Sequence, residues 1–225
     1  MKETNRIAIV AGGTGEVGEG IVRSLLKKGI TVIVPSRSPG KGERLKQYAG
    51  NDPNLHLFGT QQIQGDYNEQ LVSWTLANFG KIDLAIGSLG GWYQGTRLDQ
   101  MPAGDWFNVV NNNLNSHFLF ARSVCAYFHE RNKGMFVMIN GGSAEKMIKG
   151  AGSMSIMSNA QLVMTNVLAA EAEDTAIRIY SLMAMTPVKT RSRSFTRKEW
   201  VSAEEIGDYI IKLYDNPSDK VLHKI

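Results

Sequence analysis

Cysteine is nearly absent from this 225-residue chain, in which Cys125 is the only thiol. A single cysteine excludes an internal disulfide and is typical of a protein kept in a reducing compartment. No run approaches the roughly 20 apolar residues that a membrane-spanning helix needs, and the first residues lack the apolar core of a secretory signal. We therefore expect a cytoplasmic protein that has no membrane partner.

The charge balance is modest, with 25 basic and 21 acidic residues and a formal net charge of +4. No stripe of Lys and Arg interleaved with aromatic residues runs along the chain, so a nucleic-acid partner is not expected. Internal repeats, low-complexity tracts and Pro/Gly/Ser-rich linkers are also missing. A chain of this length without a linker is expected to form one domain over residues 1–225, with a single sizeable core.

Near its start the chain contains a short apolar run, a glycine-rich turn and a helical pattern. Residues 7–11 carry two Ile and one Val, enough for a strand buried on both faces but too few for a helix. After the turn, apolar residues recur at about one helical turn, at Val17, Ile21, Leu25 and Leu26. The sequence therefore predicts a strand, a tight turn and an amphipathic helix.

Three glycines in this turn suit the binding of phosphate. Gly12 permits an abrupt exit from the strand, Gly15 lets a ligand approach the backbone, and Gly18 lets the helix pack closely on the sheet. Free N–H groups at the helix start, with the positive end of its dipole, favour a pyrophosphate. An ordinary strand-to-helix connection that contains glycines is the alternative. The residues expected to bind the pyrophosphate are Gly12, Thr14, Gly15, Glu16, Val17 and Gly18.

The end of the second predicted strand indicates which dinucleotide binds. Residues 31–35 form a β-branched apolar run, and Ser36, Arg37 and Ser38 follow it. In a doubly wound sheet this position faces the adenosine ribose, where an acidic side chain would accept hydrogen bonds from the 2′-hydroxyl. No acid is present, whereas Arg37 offers a planar fork for a 2′-phosphate and Ser36 adds a hydroxyl. We expect NADP(H) rather than NAD(H), with a solvated loop arginine as the alternative.

Strand and helix patterns alternate along the chain, which predicts an α/β fold, a doubly wound parallel sheet of six to seven strands with helices on both faces. The predicted strands cover residues 7–11, 31–35, 55–64, 84–86, 134–139 and 177–182, with 221–222 as a candidate seventh. The later predicted helices cover residues 71–79, 105–131, 160–171 and 201–214. The last of these is introduced by a capping-box sequence, Ser202-Ala-Glu-Glu205.

Polar and glycine residues follow the third and fourth predicted strands. Asp66 either bonds an adenine amino group or caps the next helix, and the sequence leaves both open; Tyr67 adjoins it. Gly87 and Gly90, with Leu89 between them, allow the backbone to lie against a cofactor. We expect these five residues to line the dinucleotide site.

Motifs in register resemble the short-chain dehydrogenase/reductase family over nearly the whole chain. They are Gly12-x-x-Gly15-x-x-Gly18, Asp66, Phe79-Gly-Lys-Ile-Asp83, Asn113-Leu-Asn-Ser-His-Phe-Leu119, Leu168-Ala-Ala-Glu171 and Ile177-Arg-Ile-Tyr-Ser181. The glycine spacing is closer to the extended and atypical branches than to the commonest branch, which has its second glycine one position later. The resemblance implies a single Rossmann domain, a small-molecule substrate, and a homodimer or homotetramer assembled through the long helices.

The family implies a mechanism in which hydride passes between nicotinamide C4 and a carbonyl or alcohol carbon, while the tyrosine of Tyr-x-x-x-Lys exchanges the proton. The lysine holds the nicotinamide ribose and lowers the pKa of the tyrosine. A serine polarises the substrate oxygen, and an asparagine supports a chain of water molecules. By resemblance, Asn113 matches that asparagine. Ser143 lies at about the serine position, with Gly141 or Gly142 as the alternative counterpart.

The tyrosine and lysine themselves are replaced by Ser155 and Asn159, in a register set by counting back from Leu168-Ala-Ala-Glu171. A serine hydroxyl is far less acidic than a phenol, and Asn159 has no charge to tune it, although its amide can still bond ribose hydroxyls. Cofactor binding is therefore expected to survive better than catalysis. Loss of positioned acid–base help removes about 10²–10⁴-fold in rate.

Other groups are candidate proton donors. Tyr93 follows the fourth strand, although an aromatic residue there is more often a pocket wall. His117 lies one helical turn from Asn113, and an imidazole has a suitable pKa; a packed histidine is the alternative. Lys146 and Lys149 follow the fifth strand, where solvated side chains are equally expected.

Residues 189–198 contain five basic side chains and no acid. Thr190 is a candidate contact for the nicotinamide carboxamide, and the basic residues suit an anionic substrate or the cofactor phosphates. A solvated loop is the alternative. No metal site is expected.

Two functions follow from these patterns. The first is an NADP(H)-dependent oxidoreductase with an altered catalytic centre, acting on a carbonyl or alcohol. The second is a non-catalytic relative that binds NADP(H) and serves as a sensor, regulator or partner subunit.

Overall fold

The computed structural model of the protein describes residues 6–59 and 66–225. Its centre is one seven-stranded sheet in the order β3-β2-β1-β4-β5-β6-β7, and every neighbouring pair is parallel. The strands are β1 (Ile7–Ala11), β2 (Thr31–Ser36), β3 (Leu55–Gly59), β4 (Leu84–Gly87), β5 (Gly134–Gly141), β6 (Ile177–Ala184) and β7 (Leu222–Lys224). The predicted fold class is confirmed, and the predicted sheet has its full seven strands.

Helices connect these strands. They are α1 (Glu16–Lys27), α2 (Pro39–Tyr48), α3 (Tyr67–Phe79), α4 (Ala103–Val110), α5 (Ser116–Arg131), α6 (Gly152–Glu171) and α7 (Ala203–Asp215). A π-helical segment, Asn111–Asn115, joins α4 to α5. The carboxyl ends of the parallel strands share one edge, and the strand order reverses between β1 and β4, which is where such sheets bind ligands.

Alternation along β1 explains why the sheet is covered on both faces. Ala8 and Val10 belong to a core with residues of α1, α2 and α7. Ile7, Ile9 and Ala11 belong to a second core with residues of α3, α5 and α6. Because successive strand residues point to opposite faces, a fully apolar β1 supplies both cores.

Several element boundaries differ from the sequence predictions, and α2 was not predicted. The helix expected over 105–131 is interrupted by the π-helical segment. The helix expected to start at Ala160 begins eight residues earlier, because Met154 and Met157 bury its first turns beside Val109 and Ala151; tertiary packing overrides the weak helix propensity of its serines. β5 continues through Asn140 and Gly141, which pair with β6.

The predicted start of α7 is confirmed in one local feature. The capping box forms, since Glu205 N donates to Ser202 Oγ at 3.1 Å and Ser202 N to Glu205 Oε2 at 2.6 Å. The third predicted strand is confirmed over Leu55–Gly59, and its expected continuation over 60–64 lies outside the described residues. In the described ranges, none of the helices combines the length and the apolar character needed to span a membrane.

Candidate cofactor-binding and catalytic site

Two of the three turn glycines are required by the protein's own backbone. Gly12 has φ +81°, and a methyl group there would lie 1.9 Å from the carbonyl oxygen of Ser88. A methyl on Gly18 would lie 2.1 Å from Gly12 O. These contacts hold the β1–α1 turn against the end of β4 and the start of α1, so neither position admits a side chain.

Gly15 has open space in front of it. Among described atoms, a methyl there would approach only Gly12 O, at 3.2 Å. Gly15 is also the N-cap of α1 and supplies no capping side chain, so the first N–H groups of the helix are left for another acceptor. Thr14 precedes this exposed position, and Glu16 and Val17 follow it. The turn has room and free N–H groups for a pyrophosphate, whose binding stays a prediction from the glycine spacing.

The end of β2 presents Arg37 without an acid beside it in the chain. Arg37 is exposed, whereas Ser36 is buried and its hydroxyl donates to Ser38 O at 2.9 Å. Ser36 thus uses its hydroxyl proton within the turn, and Arg37 is an exposed donor at this end of β2. Burial raises the pKa of the nearby Tyr67 to about 12, and the positive charge of Arg37 opposes that rise.

Asp66 acts as a helix cap. Its Oδ1 accepts hydrogen bonds from Asn68 N at 2.9 Å and Glu69 N at 3.4 Å. Its Oδ2 pairs with Arg122 at 2.7 Å. These contacts show that Asp66 caps α3. Each carboxylate oxygen can accept a second hydrogen bond, so the contact with adenine stays a prediction.

Side chains from the long helix pack against the segment after β4. A methyl on Gly87 would lie 3.1 Å from His117 Nδ1, and one on Gly90, which has φ +96°, would lie 2.1 Å from Asn113 Oδ1. His117 Nε2 lies 3.1 Å from Leu89 O, to which it donates. The small residues predicted to face a cofactor are therefore also needed to admit Asn113 and His117.

His117 is neutral at physiological pH. Complete burial lowers its pKa to about 4, although the bond to Leu89 works in the opposite direction. Its Nδ1 has no hydrogen-bond partner in the described part of the chain. The expectation of a suitable imidazole pKa is therefore wrong, because a neutral ring whose only N–H is bonded to a carbonyl has no proton to donate.

The side-chain oxygen, the side-chain nitrogen and the main-chain carbonyl of Asn113 each form a hydrogen bond with another protein group. Its Oδ1 accepts from Gly91 N at 3.0 Å, and its Nδ2 donates to Val109 O at 3.0 Å. The buried amide of Gln161 on α6 donates to the main-chain carbonyl of Asn113. Sequence reasoning missed Gln161, because its polarity two residues after Asn159 gave no indication of a partner on another helix.

Ser155 and Asn159, at the positions that the resemblance assigns to tyrosine and lysine, lie one helical turn apart and carry no group that exchanges a proton near neutral pH. Ser155 Oγ is buried and has no hydrogen-bond partner among the described residues. Asn159 Nδ2 donates to Ala144 O and Ser155 O, both at 2.9 Å. Ser143 Oγ lies 2.7 Å from Ser158 Oγ, so this buried hydroxyl is turned onto α6. None of these groups resembles a phenol tuned by an ammonium.

The remaining donor candidates lie around this centre. Tyr93 OH donates to Asp105 Oδ2 at 2.9 Å, with Thr96 Oγ1 at 3.3 Å, and its ring packs beside Met154 and Met157. Lys146 Nζ donates to Met185 O at 3.3 Å and is exposed, as is Lys149.

The loop after β6 returns to the start of α1. Thr190 Oγ1 donates to Glu16 Oε2 at 3.3 Å and Ser192 Oγ to Glu16 Oε1 at 2.6 Å. Arg191 forms a bidentate pair with Glu19. Sequence reasoning placed Thr190 near the cofactor but missed its acidic partner. Among the described residues, no group of His, Cys, Asp or Glu is arranged to hold a metal ion.

Known proteins share the sequence pattern of this chain. A family model described as short chain dehydrogenase matches residues 6–200. An uncharacterised oxidoreductase of Staphylococcus haemolyticus is 26% identical over 222 residues, which cover 97% of this chain and 95% of that protein. The 3-oxoacyl-[acyl-carrier-protein] reductase FabG of Buchnera aphidicola is 29% identical over 143 residues, covering 62% and 56%.

Solved structures share the fold. ElxO with NADP bound has a TM-score of 0.84 at 15% identity, covering 99% of this chain and 97% of that one. A single-residue variant of actinorhodin polyketide ketoreductase with NADPH has a TM-score of 0.85 at 18% identity, covering 98% and 95%. At these identities the likeness shows the architecture alone.

Proposed function

The chain belongs to the short-chain dehydrogenase/reductase family, and from that premise we propose that it is an NADP(H)-dependent oxidoreductase of a carbonyl or alcohol substrate, with an altered catalytic centre. One contrast carries the proposal. The glycine turn keeps an open, uncapped helix start at Gly15, whereas Ser155 and Asn159 stand where the family has its tyrosine and lysine. Binding is retained and proton transfer is impaired.

The residues that would hold the cofactor are spread along the carboxyl edge of the sheet. Backbone N–H groups of Glu16, Val17 and Gly18 would bind the pyrophosphate, since the N–H of Gly15 donates to Gly12 O at 2.9 Å. Arg37 would bind the 2′-phosphate. The oxygen of the Asn159 amide can accept from a ribose hydroxyl, because only its nitrogen is used by Ala144 and Ser155. When bound, the nicotinamide supplies or accepts the hydride.

The proton in such a reaction must come from a group other than Ser155. Tyr93 is the phenol closest in sequence to the end of β4, and we retain it as the proposed donor. Its hydroxyl would have to leave Asp105 to reach a substrate, and proton transfer from an unassisted phenol is slow. We expect turnover about 10²–10⁴-fold below that of a relative with the intact pair.

A second candidate function is a non-catalytic NADP(H)-binding subunit or sensor. It is favoured by polar groups that form hydrogen bonds with one another, whereas an active catalytic site would leave them available to the substrate or to water. Asn113 uses its amide and its carbonyl on Gly91, Val109 and Gln161, and Ser143 pairs with Ser158.

We further propose that the chain assembles as a homodimer or homotetramer in the cytoplasm. Large apolar side chains are exposed on α4, α5 and α6, at Phe107, Phe118, Ile156, Val163 and Val167, and apolar surface of this kind suits an interface between subunits where it is contiguous. Exposed Arg193 and Arg197 in the loop after β6 suit a small anionic substrate. The free buried thiol of Cys125 fits a reducing compartment.

Two measurements separate the candidate functions. Titration followed by NADPH fluorescence tests binding, and the loss of NADPH absorbance over a panel of aldehydes and ketones tests turnover. Binding with slow turnover that falls further in Tyr93→Phe supports the oxidoreductase. Binding without turnover supports the non-catalytic candidate. Failure to bind NADPH or NADH contradicts both, and brisk turnover that survives Tyr93→Phe contradicts the proposed donor.

A further inference from the structure

Glu16 brings a negative charge to the turn that binds pyrophosphate. It is the first residue of α1, directly after Gly15, and the commonest branch of the family has glycine at this position. Side chains of a helix lean toward its N-terminus. An unrestrained carboxylate there is drawn to the same free N–H groups and dipole that favour a phosphate, so Glu16 is a potential competitor of the cofactor.

The loop after β6 supplies hydrogen-bond donors to this carboxylate. Ser192 Oγ donates to one carboxylate oxygen of Glu16 at 2.6 Å, and Thr190 Oγ1 donates to the other at 3.3 Å. Both oxygens therefore have hydroxyl donors that belong to the loop rather than to the helix start. Hydrogen bonds to a carboxylate are among the stronger ones in proteins.

Arg191, between these two hydroxyls, fixes the loop in place. Its guanidinium donates to both oxygens of Glu19 at 3.0 and 3.1 Å and lies 4.6 Å from the centre of the Tyr48 ring. Three consecutive loop residues thus act on two carboxylates of a single helical turn. The arrangement fixes the loop and the Glu16 carboxylate relative to each other.

We propose that Thr190 and Ser192 are positioning residues, which hold the Glu16 carboxylate away from the pyrophosphate of the bound dinucleotide. The inference rests on the proposed binding of NADP(H). It differs from direct contact between Thr190 and the carboxamide, because the effect acts through the charge of Glu16. When Glu16 is neutral, the two hydroxyls should no longer matter for affinity.

A double-mutant cycle tests this dependence. NADPH affinity is measured by fluorescence for the wild type, Glu16→Gln, Thr190→Ala/Ser192→Ala and the triple variant. We expect Glu16→Gln to bind about two- to fivefold more tightly, and the double variant about two- to fivefold more weakly, since one charge near a helix start changes binding by this order. The triple variant should match Glu16→Gln. Glu173→Gln, beyond the far end of α6, is the charge-matched control.

Two further readouts identify the interaction as electrostatic and local. The gain in Glu16→Gln should shrink at high salt, because exposed charges are screened. Adenosine 2′-monophosphate, which has no pyrophosphate, should displace NADPH with an affinity for the protein that is unchanged by Glu16→Gln.

Several results would overturn the inference. Thr190→Ala/Ser192→Ala could weaken NADPH binding by the same factor whether residue 16 is Glu or Gln. That result would mean that the two hydroxyls contact the cofactor directly. Weaker binding by Glu16→Gln would mean that the carboxylate assists the cofactor. If the wild type binds NADPH but the cycle shows no coupling, only this inference fails; if the wild type does not bind, the proposed function fails with it.

Discussion

The side-chain amide of Gln161 on α6 donates a hydrogen bond to the main-chain carbonyl of Asn113, which belongs to the π-helical segment between α4 and α5. Both residues are buried, with 6% and 5% of their surfaces exposed. A π-helical turn shifts the hydrogen-bond register of its helix, which gives a neighbouring side chain access to a carbonyl. Gln161 therefore joins α6 to the π-helical segment and occupies one of its carbonyl groups.

Replacement of Gln161 by Met should destabilise the protein by about 1–3 kcal/mol, because it keeps the length of the side chain but leaves a buried carbonyl without its donor. The free energy of unfolding is measured by urea titration. Asn166→Ala, at an exposed position of the same helix, is the control and should change stability by less than about 0.5 kcal/mol. Equal stability of the Met variant and the wild type would show that the bond contributes nothing net.

Restoration of the family's proton-transfer pair should raise turnover. In the variant Ser155→Tyr/Asn159→Lys, NADPH oxidation with a responsive aldehyde is expected to increase about 10²-fold or more, and to depend on the ionisation of a phenol. Ser155→Phe/Asn159→Lys adds the same bulk at a buried position without the hydroxyl. A similar gain in the Phe variant, or no gain in a Tyr variant that folds and binds NADPH, would contradict our account of the centre.

How far the sequence predicts this molecule depends on the range of the interactions involved. The turn from Gly12 to Gly18 and the capping box at Ser202 are local, so spacing and residue type were enough to predict them. The bond between Gln161 and Asn113 joins two helices far apart in the chain, and the neutrality of His117 results from burial by several elements. Neither leaves a periodic signal.

The start of α6 illustrates the same limit. Gly152 to Asn159 contains a glycine and three serines, which disfavour a helix when they are considered alone. In the folded protein, Met154 and Met157 pack against Val109 and stabilise those turns. The partner that decides the conformation lies more than 40 residues earlier, so a local pattern could not supply it.

Gly15→Ala should separate cofactor binding from folding. A methyl there meets only Gly12 O, at 3.2 Å, so the stability should change by less than about 1 kcal/mol. NADPH affinity should fall by about tenfold or more, equivalent to about 1.4 kcal/mol, because the methyl stands in the path of the pyrophosphate. Gly104→Ala, where the added methyl meets nothing within 4 Å, is the control. If Gly15→Ala left NADPH affinity unchanged, the pyrophosphate could not bind at this turn.

Arg37→Ala should weaken NADPH binding while leaving NADH binding unchanged. A hydrogen bond to a charged group contributes about 1.5–3 kcal/mol, so the dissociation constant for NADPH is expected to rise by about tenfold or more. Lys133→Ala, next to the start of β5 at the opposite edge of the sheet, controls for net charge. A parallel loss of affinity for both dinucleotides would mean that Arg37 does not recognise the 2′-phosphate.

Burial of His117 should make the protein less stable as the pH falls below 6.5. The side chain is 0% exposed, and burial lowers its pKa from 6.5 to about 4. Between these values the unfolded chain binds a proton that the folded chain does not. The free energy of unfolding therefore decreases by about 1.4 kcal/mol per pH unit, or about 2 kcal/mol between pH 6.5 and 5.

The variant His117→Gln isolates this contribution, because its amide can still donate to Leu89 O but does not titrate. Urea unfolding of both proteins at about pH 7.5 and pH 5 gives the two losses of stability. The wild type should lose about 2 kcal/mol more than the variant, since the carboxylates and His56 contribute equally to both. Equal losses would mean that His117 binds a proton as readily in the folded as in the unfolded protein. That result would contradict a neutral imidazole that donates to Leu89 O.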